Sequence, residues 1–169
     1  MPMQRAFFIR WALLLCWVVG AARAEDRDPR FAPKPIESYR EILAVLPEGL
    51  RTPRAASKWT AVQREAVNKQ LHAAFEGKKT RVKMRLRVSE VANWGGMRLY
   101  SEITSKDGCH VRVFGKFTDS WKPKLAELKK NHEVTLEGIL ESADYCDLWG
   151  EFTLSIIVAN ASFERSSGT

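Results

Sequence analysis

The stretch KTRVKMRLRVSEV, residues 79–91, decides the fold. From Arg81 to Val88 it alternates cation and hydrophobe, with Arg81, Lys83, Arg85 and Arg87 on one parity and Val82, Met84, Leu86 and Val88 on the other. A period of two marks a strand with one wet face and one buried face. The row of four cations then has two readings. It is a track for phosphates, or it is the outer side of a strand whose charges a neighbour neutralises.

Upstream the period is helical. Ile36, Tyr39, Ile42, Leu43 and Leu46 share one face of a helix over residues 36–46 that stops before Pro47. A second helix is expected over residues 58–76, with Trp59, Val62, Ala66, Val67, Leu71, Ala74 and Phe75 as its apolar face. Ser57 is its candidate N-cap, and Gly77 stands just past its end. Residues 25–35, charged and proline-bearing, read as an extended leader.

Residues 1–24 stand apart. Arg5 and Arg10 flank the start of an apolar run, WALLLCWVVG at residues 11–20, and Ala22-Arg23-Ala24 supplies a small-x-small cleavage signal. The expectation is a secretory signal peptide cleaved after Ala24 and a periplasmic or secreted product. The apolar run is shorter than the roughly 20 residues a membrane span needs. Cleavage leaves 145 residues and lowers the formal net charge from +7 to +4, because Arg5, Arg10 and Arg23 are lost. The remaining charge is polarised: residues 78–116 carry ten cations and three anions, and residues 131–164 carry seven anions and no cation.

Downstream of residue 91 the period stays at two. Asn93-Trp94-Gly95-Gly96 reads as a hairpin turn, glycine supplying the positive φ it needs. A second strand follows at residues 97–104, a turn at Lys106-Asp107-Gly108, and a third strand at residues 109–117. Residues 120–130 (SWKPKLAELKK) form a short helix with Pro123 in its first turn. Strand four is HEVTLEGIL at residues 132–140, and strand five is FTLSIIV at residues 152–158. Five strands with one helix between the third and fourth give a five-stranded Greek-key OB-fold barrel, β with flanking α. The division expected is signal peptide 1–24, leader and two helices 25–77, barrel 78–165 and tail 166–169.

With FEGKKTRVKMRLRVSEV, VRVFGKF and LAELKKNHEVTLEGIL, the chain resembles the tRNA_anti-like group of exported bacterial OB-fold proteins over about residues 71–164. Asn131 stands where such sequences carry glycine after the helix, and asparagine tolerates the left-handed conformation required there. The resemblance implies that strands three and five run parallel and adjacent, and that strand one lies antiparallel to strand four. Glu133, Glu137 and Glu141 on strand four would then face the cations of strand one, each opposite pair stabilising by about 0.2–1 kcal/mol.

Two cysteines survive cleavage, Cys109 and Cys146. An even, small number in an oxidising compartment points to a disulfide. The resemblance places both at one end of the barrel. A metal site is the weaker reading, since Cys109 and His110 would point to opposite sides of a strand.

The outer face of strands two and three, with the flanking loops, is the usual OB ligand surface. Its candidates are Arg98, Tyr100, His110, Arg112 and Lys116, joined by Trp94 in one loop and by Tyr145 and Trp149 in another. Aromatics among cations suit single-stranded nucleic acid, where bases stack and phosphates meet charge. They equally suit barrel ends covered by large rings. No nucleophile elbow, phosphate-binding glycine loop or zinc-protease helix occurs, and His72, His110 and His132 have no carboxylate at a spacing that demands a triad or a metal site. The sequence therefore points to a non-catalytic, cofactor-free binding module. Its partner is a protein of the cell envelope or, alternatively, an anionic polymer such as nucleic acid or polysaccharide.

Overall fold

A computed structural model describes residues 34–51, 59–93, 95–104, 110–148 and 151–166. The chain divides into two units, Met1–Ala32 and Pro33–Thr169, and all described residues belong to the second. The expected signal peptide, Trp94, Cys109 and Trp149 lie outside the described residues.

Six strands follow in chain order: β1 (Arg81–Arg87), β2 (Glu90–Asn93), β3 (Met97–Thr104), β4 (His110–Lys116), β5 (Glu133–Leu148) and β6 (Glu151–Arg165). Three α-helices accompany them: α1 (Tyr39–Leu43), α2 (Ala61–Phe75) and α3 (Lys122–Ala126). The sheet order is β1-β5-β6-β4-β3-β2, with β4 and β6 parallel and every other pair antiparallel. Its end strands are consecutive in sequence. One bent stretch, residues 79–91 and a little beyond, thus occupies both edges of the sheet. The bend is at Val88-Ser89: Val88 N–H donates to the His132 carbonyl (2.8 Å), whereas Ser89 N–H donates to the Tyr100 carbonyl (2.9 Å). The Ser101 hydroxyl also donates to the Arg87 carbonyl at 2.7 Å. No hydrogen-bonded ladder joins β1 to β2. This strand order, with α3 between β4 and β5, is that of an OB-fold.

The inward parity is the core. Val82, Met84, Leu86, Leu99, Val113, Leu136, Leu154 and Ile156 are all buried, and each such side chain contributes about 1.5–3 kcal/mol when fully removed from water. Leu125 of α3 closes one end, beside the rings of Phe117, Trp121 and Phe163, whose centroids lie 5.3–5.9 Å apart. Asn131 has φ of 71°, as its place after the helix requires, and Gly95 and Gly96 of the turn are also at positive φ.

The structure corrects several boundaries. Strands four and five are much longer than expected, 16 and 15 residues, because β5 and β6 continue as a hairpin to the pair Leu148–Glu151. Their pairing absorbs two irregularities. Asn160 (φ 49°) and Ala161 bulge opposite Gly138, and Glu141 is the extra residue between Leu140 and Ser142. A Cβ at Gly138 would stand 2.6 Å from Val158 Cγ1 and 2.7 Å from the Ala159 carbonyl, so the bulge needs glycine there.

The N-terminal segment joins the same core. Ile36 is extended rather than helical: its N–H donates to the Arg81 carbonyl (2.9 Å), and its carbonyl accepts from Lys83 N–H (2.8 Å). Ile42 and Leu46 are buried with the barrel residues. Helix α2 begins later than expected, capped by Thr60, whose hydroxyl and Gln63 form a capping box. Ser57 lies outside the described residues. Trp59, Val67 and Leu71 are buried, but Val62 is 75% exposed, so the buried stripe is narrower than the apolar pattern.

Candidate functional site

The row of four cations on β1 faces a row of carboxylates. Register places Lys83 opposite Glu137 and Arg87 opposite Glu133. Lys83 Nζ meets Glu137 at 2.6 Å, and Glu133 takes both Arg85 (2.5 Å) and Arg87 (3.4 Å). The hydrogen bond from Arg85, then that from Arg87, holds the Glu133 carboxyl below its usual value. The bond to Glu137 holds Lys83 above its own. The row is a cross-strand ladder. Arg81, opposite Ile139, has no ion pair among the described residues. Glu141 departs from the expectation: β1 ends opposite Ile139, and the bulge turns Glu141 to Lys116, 2.5 Å away.

The outer face of β2, β3 and β4 is built in rows. One row runs Ala92, Arg98, Lys116; the next runs Glu90, Tyr100, Phe114 and on to Ile157 of β6; a third runs Glu102, Arg112, Ser155. His110 lies at the far end between Thr104 and Thr153. Tyr100 and Phe114 stack obliquely, centroids 5.2 Å apart and planes at 32°. Both are half-buried. Burial pushes the Tyr100 hydroxyl above its usual range, opposed by Arg112 and assisted by Glu102. Arg112 is only 5% exposed and meets Glu102 at 3.3 Å. Lys116 is held by Glu141. Arg98 is different: its Nε is buried and has no hydrogen-bond partner, and no ion pair reaches it among the described residues.

Of the sequence candidates, the structure thus gathers Arg98, Tyr100, Arg112 and Lys116 on one face, with His110 at its margin. It removes Tyr145. That residue is not in a loop but in β5, 3% exposed, with its ring edge-on to Trp59 at 5.3 Å. The backbone of Tyr145 is taken by α2: Asn68 Nδ2 donates to its carbonyl and Asn68 Oδ1 accepts from its N–H, both at 2.8 Å. Phe114 belongs to the face and was missed, although it shares parity with Arg112 and Lys116 and was legible on that ground. Glu90 lies across from Tyr100 on the same face.

The remaining titratable groups show no catalytic arrangement among the described residues. His72 of α2 does meet a carboxylate, Asp144 of β5, a contact across 72 positions that spacing could not reveal. His132 Nδ1 accepts from Lys129 N–H at 3.2 Å. No group of three His, Cys, Asp or Glu among the described residues could hold a metal ion, and no described helix is long and apolar enough to cross a membrane. Cys146 lies opposite Thr153, whose other neighbour is His110, the residue after Cys109. Cys109 itself lies outside the described residues, so its expected pairing with Cys146 is not described.

The topology and this face define the class: an OB-fold module with a mixed aromatic and ionic outer surface. No family model matches the chain, and no curated protein does. Solved structures similar to part of it include the mitochondrial single-stranded DNA binding protein of S. cerevisiae, at 15% identity over 54% of this chain and 100% of that one, TM-score 0.34. A small single-stranded DNA-binding protein from Streptomyces coelicolor is 12% identical over 53% of this chain and 96% of its own, TM-score 0.34. An OBody bound to hen egg-white lysozyme is 17% identical over 52% and 84%, TM-score 0.37.

Proposed function

We propose that the protein is an exported, non-catalytic OB-fold binding module of the tRNA_anti-like kind, and that the β2–β3–β4 face takes a protein partner in the cell envelope. The observation that carries this is the state of the cations. Lys83, Arg85, Arg87, Arg112 and Lys116 all stand in ion pairs with carboxylates of the same chain. A polyanion track needs several cations free to displace counterions, and affinity that falls steeply with salt. Among the described cations of this face, Arg98 alone has no ion pair, beside the Tyr100–Phe114 pair. A ring pair flanked by internally matched charges suits a protein surface, whose apolar core is rimmed by polar groups. The signal-like residues 1–24 support export, and an oxidising compartment supports a Cys109–Cys146 disulfide.

The test is a titration of the purified protein with a mixed single-stranded oligonucleotide and with heparin, at low and physiological salt, by intrinsic fluorescence. Weak, equal responses that vanish at physiological salt are expected. Saturable oligonucleotide binding that survives it refutes the protein-partner reading in favour of an anionic polymer. An N-terminus at Glu25 in material recovered from the envelope, and the absence of titratable thiols without reductant, are the companion expectations.

A further inference from the structure

We propose that Arg98 anchors a single carboxylate of the bound protein segment, and that the apolar side chain next to that carboxylate covers the Tyr100 and Phe114 rings. The inference rests on the reading of this face as the ligand surface and names what the face selects. Three observations carry it.

First, Arg98 alone among the cations of the face has neither ion pair nor hydrogen bond to its buried Nε among the described residues. A guanidinium presents donors in a fixed planar fork that matches a carboxylate. Second, the cross-strand neighbour on β2 is Ala92, which sets no charge against the guanidinium. The other flank carries Lys116, tied to Glu141. Third, the charge nearby limits the ligand. Glu90 lies one row away, diagonal to Arg98, and is exposed with no ion pair among the described residues. A chain bearing an anion at every repeat would set its second charge against Glu90. A segment with one carboxylate and an adjoining hydrophobe meets Arg98 and the rings and leaves Glu90 to water. Charge complementarity therefore favours a lone acidic group, an exposed acidic side chain or a chain terminus, over a polymer.

The two probes are acetyl-Ala-Ser-Leu-Phe with a free terminal carboxylate and the same peptide amidated, each titrated into the 15N-labelled protein and followed by amide shifts. The free acid is expected to bind at least about tenfold more tightly than the amide, as a charge-assisted pair supplies. Arg98→Gln is expected to abolish that difference and leave the dispersion of the spectrum unchanged. Arg98→Lys, which keeps the charge and loses the fork, is expected to restore part of it. Equal binding of acid and amide, with shifts on β3 and β4, overturns the carboxylate anchor and leaves the protein-binding reading standing. Shifts on the face with a thymidine oligonucleotide and with neither peptide overturn both. No shift on the face with any probe overturns the anchor.

Discussion

Asn68→Ala is expected to destabilise the protein far more than a half-exposed helix position ordinarily would. β1 pairs with β5 only as far as Ile139, and Leu140 N–H still donates to the Thr80 carbonyl (2.9 Å), so residues from Glu141 onward would present an open sheet edge. Asn68 closes that edge by acting as one peptide unit of a missing strand, donating to and accepting from Tyr145 at 2.8 Å each. Two such bonds contribute about 0.5–1.5 kcal/mol each when water replaces them, and a buried group left unsatisfied costs about 1–3 kcal/mol. Alanine recovers roughly 0.5 kcal/mol of helix propensity relative to asparagine. The net expectation is about 1.5–3 kcal/mol, or about 5–10 °C in Tm for a domain of this size. Asn68→Asp keeps an acceptor for the N–H but sets a carboxylate against the Tyr145 carbonyl, and is expected to cost at least as much. The assay is denaturant unfolding with the m-value compared, together with hydrogen exchange at the Tyr145 amide. That amide is expected to lose protection even under conditions where the global fold is intact. A loss below about 0.5 kcal/mol with an unchanged exchange rate refutes the edge-clamp argument, because it means water serves Tyr145 as well as Asn68 does.

Gly138→Ala is expected to cost about 1–3 kcal/mol in the same unfolding assay, since the new methyl meets the Ala159 carbonyl and Val158 well inside contact distance; a neutral result would show that the bulge can relax. Glu133→Gln tests the ladder through pH. The folded carboxyl is held low by Arg85 and Arg87, so its contribution is complete above the unfolded value of about 4.3 and is lost as pH falls through the depressed one. The Tm of the wild-type protein is therefore expected to drop more between about pH 7 and about pH 3 than that of the variant. Parallel curves refute the ladder. Exposure makes the difference small, and added salt is expected to shrink it further.

The outline of the OB-fold sheet was legible because it rests on local rules. The period of two from Arg81 to Val88, the glycines at 95 and 96 and the left-handed Asn131 each demand one local conformation, and the structure has it. The extents were not legible, for reasons that are non-local. β5 runs on through Glu141, where a bulge puts two outward residues in succession and breaks the alternation that a period search needs. Asn68, His72 and Tyr145 look unremarkable as isolated residues, since their meaning lies in contacts 72 and 77 positions apart. Phe114 was legible by parity, since it alternates along β4 with the inward residues and shares its side with Arg112 and Lys116.

The candidate face shows the same division between composition and arrangement. Residues 78–116 are strongly basic and residues 131–164 wholly acidic, which invites a picture of one cationic and one anionic surface. The sheet order denies it. β5, which carries most of the acidic block, pairs with β1, and its bulge at Glu141 sets that carboxylate on Lys116, so Glu133, Glu137 and Glu141 fall onto Arg85, Arg87, Lys83 and Lys116. Charge separated along the chain becomes charge cancelled across the sheet. On the β2–β3–β4 face, what the cancellation leaves behind among the described residues is Arg98 beside two half-buried rings, and that residue rather than the net charge is where selectivity of the face should be sought.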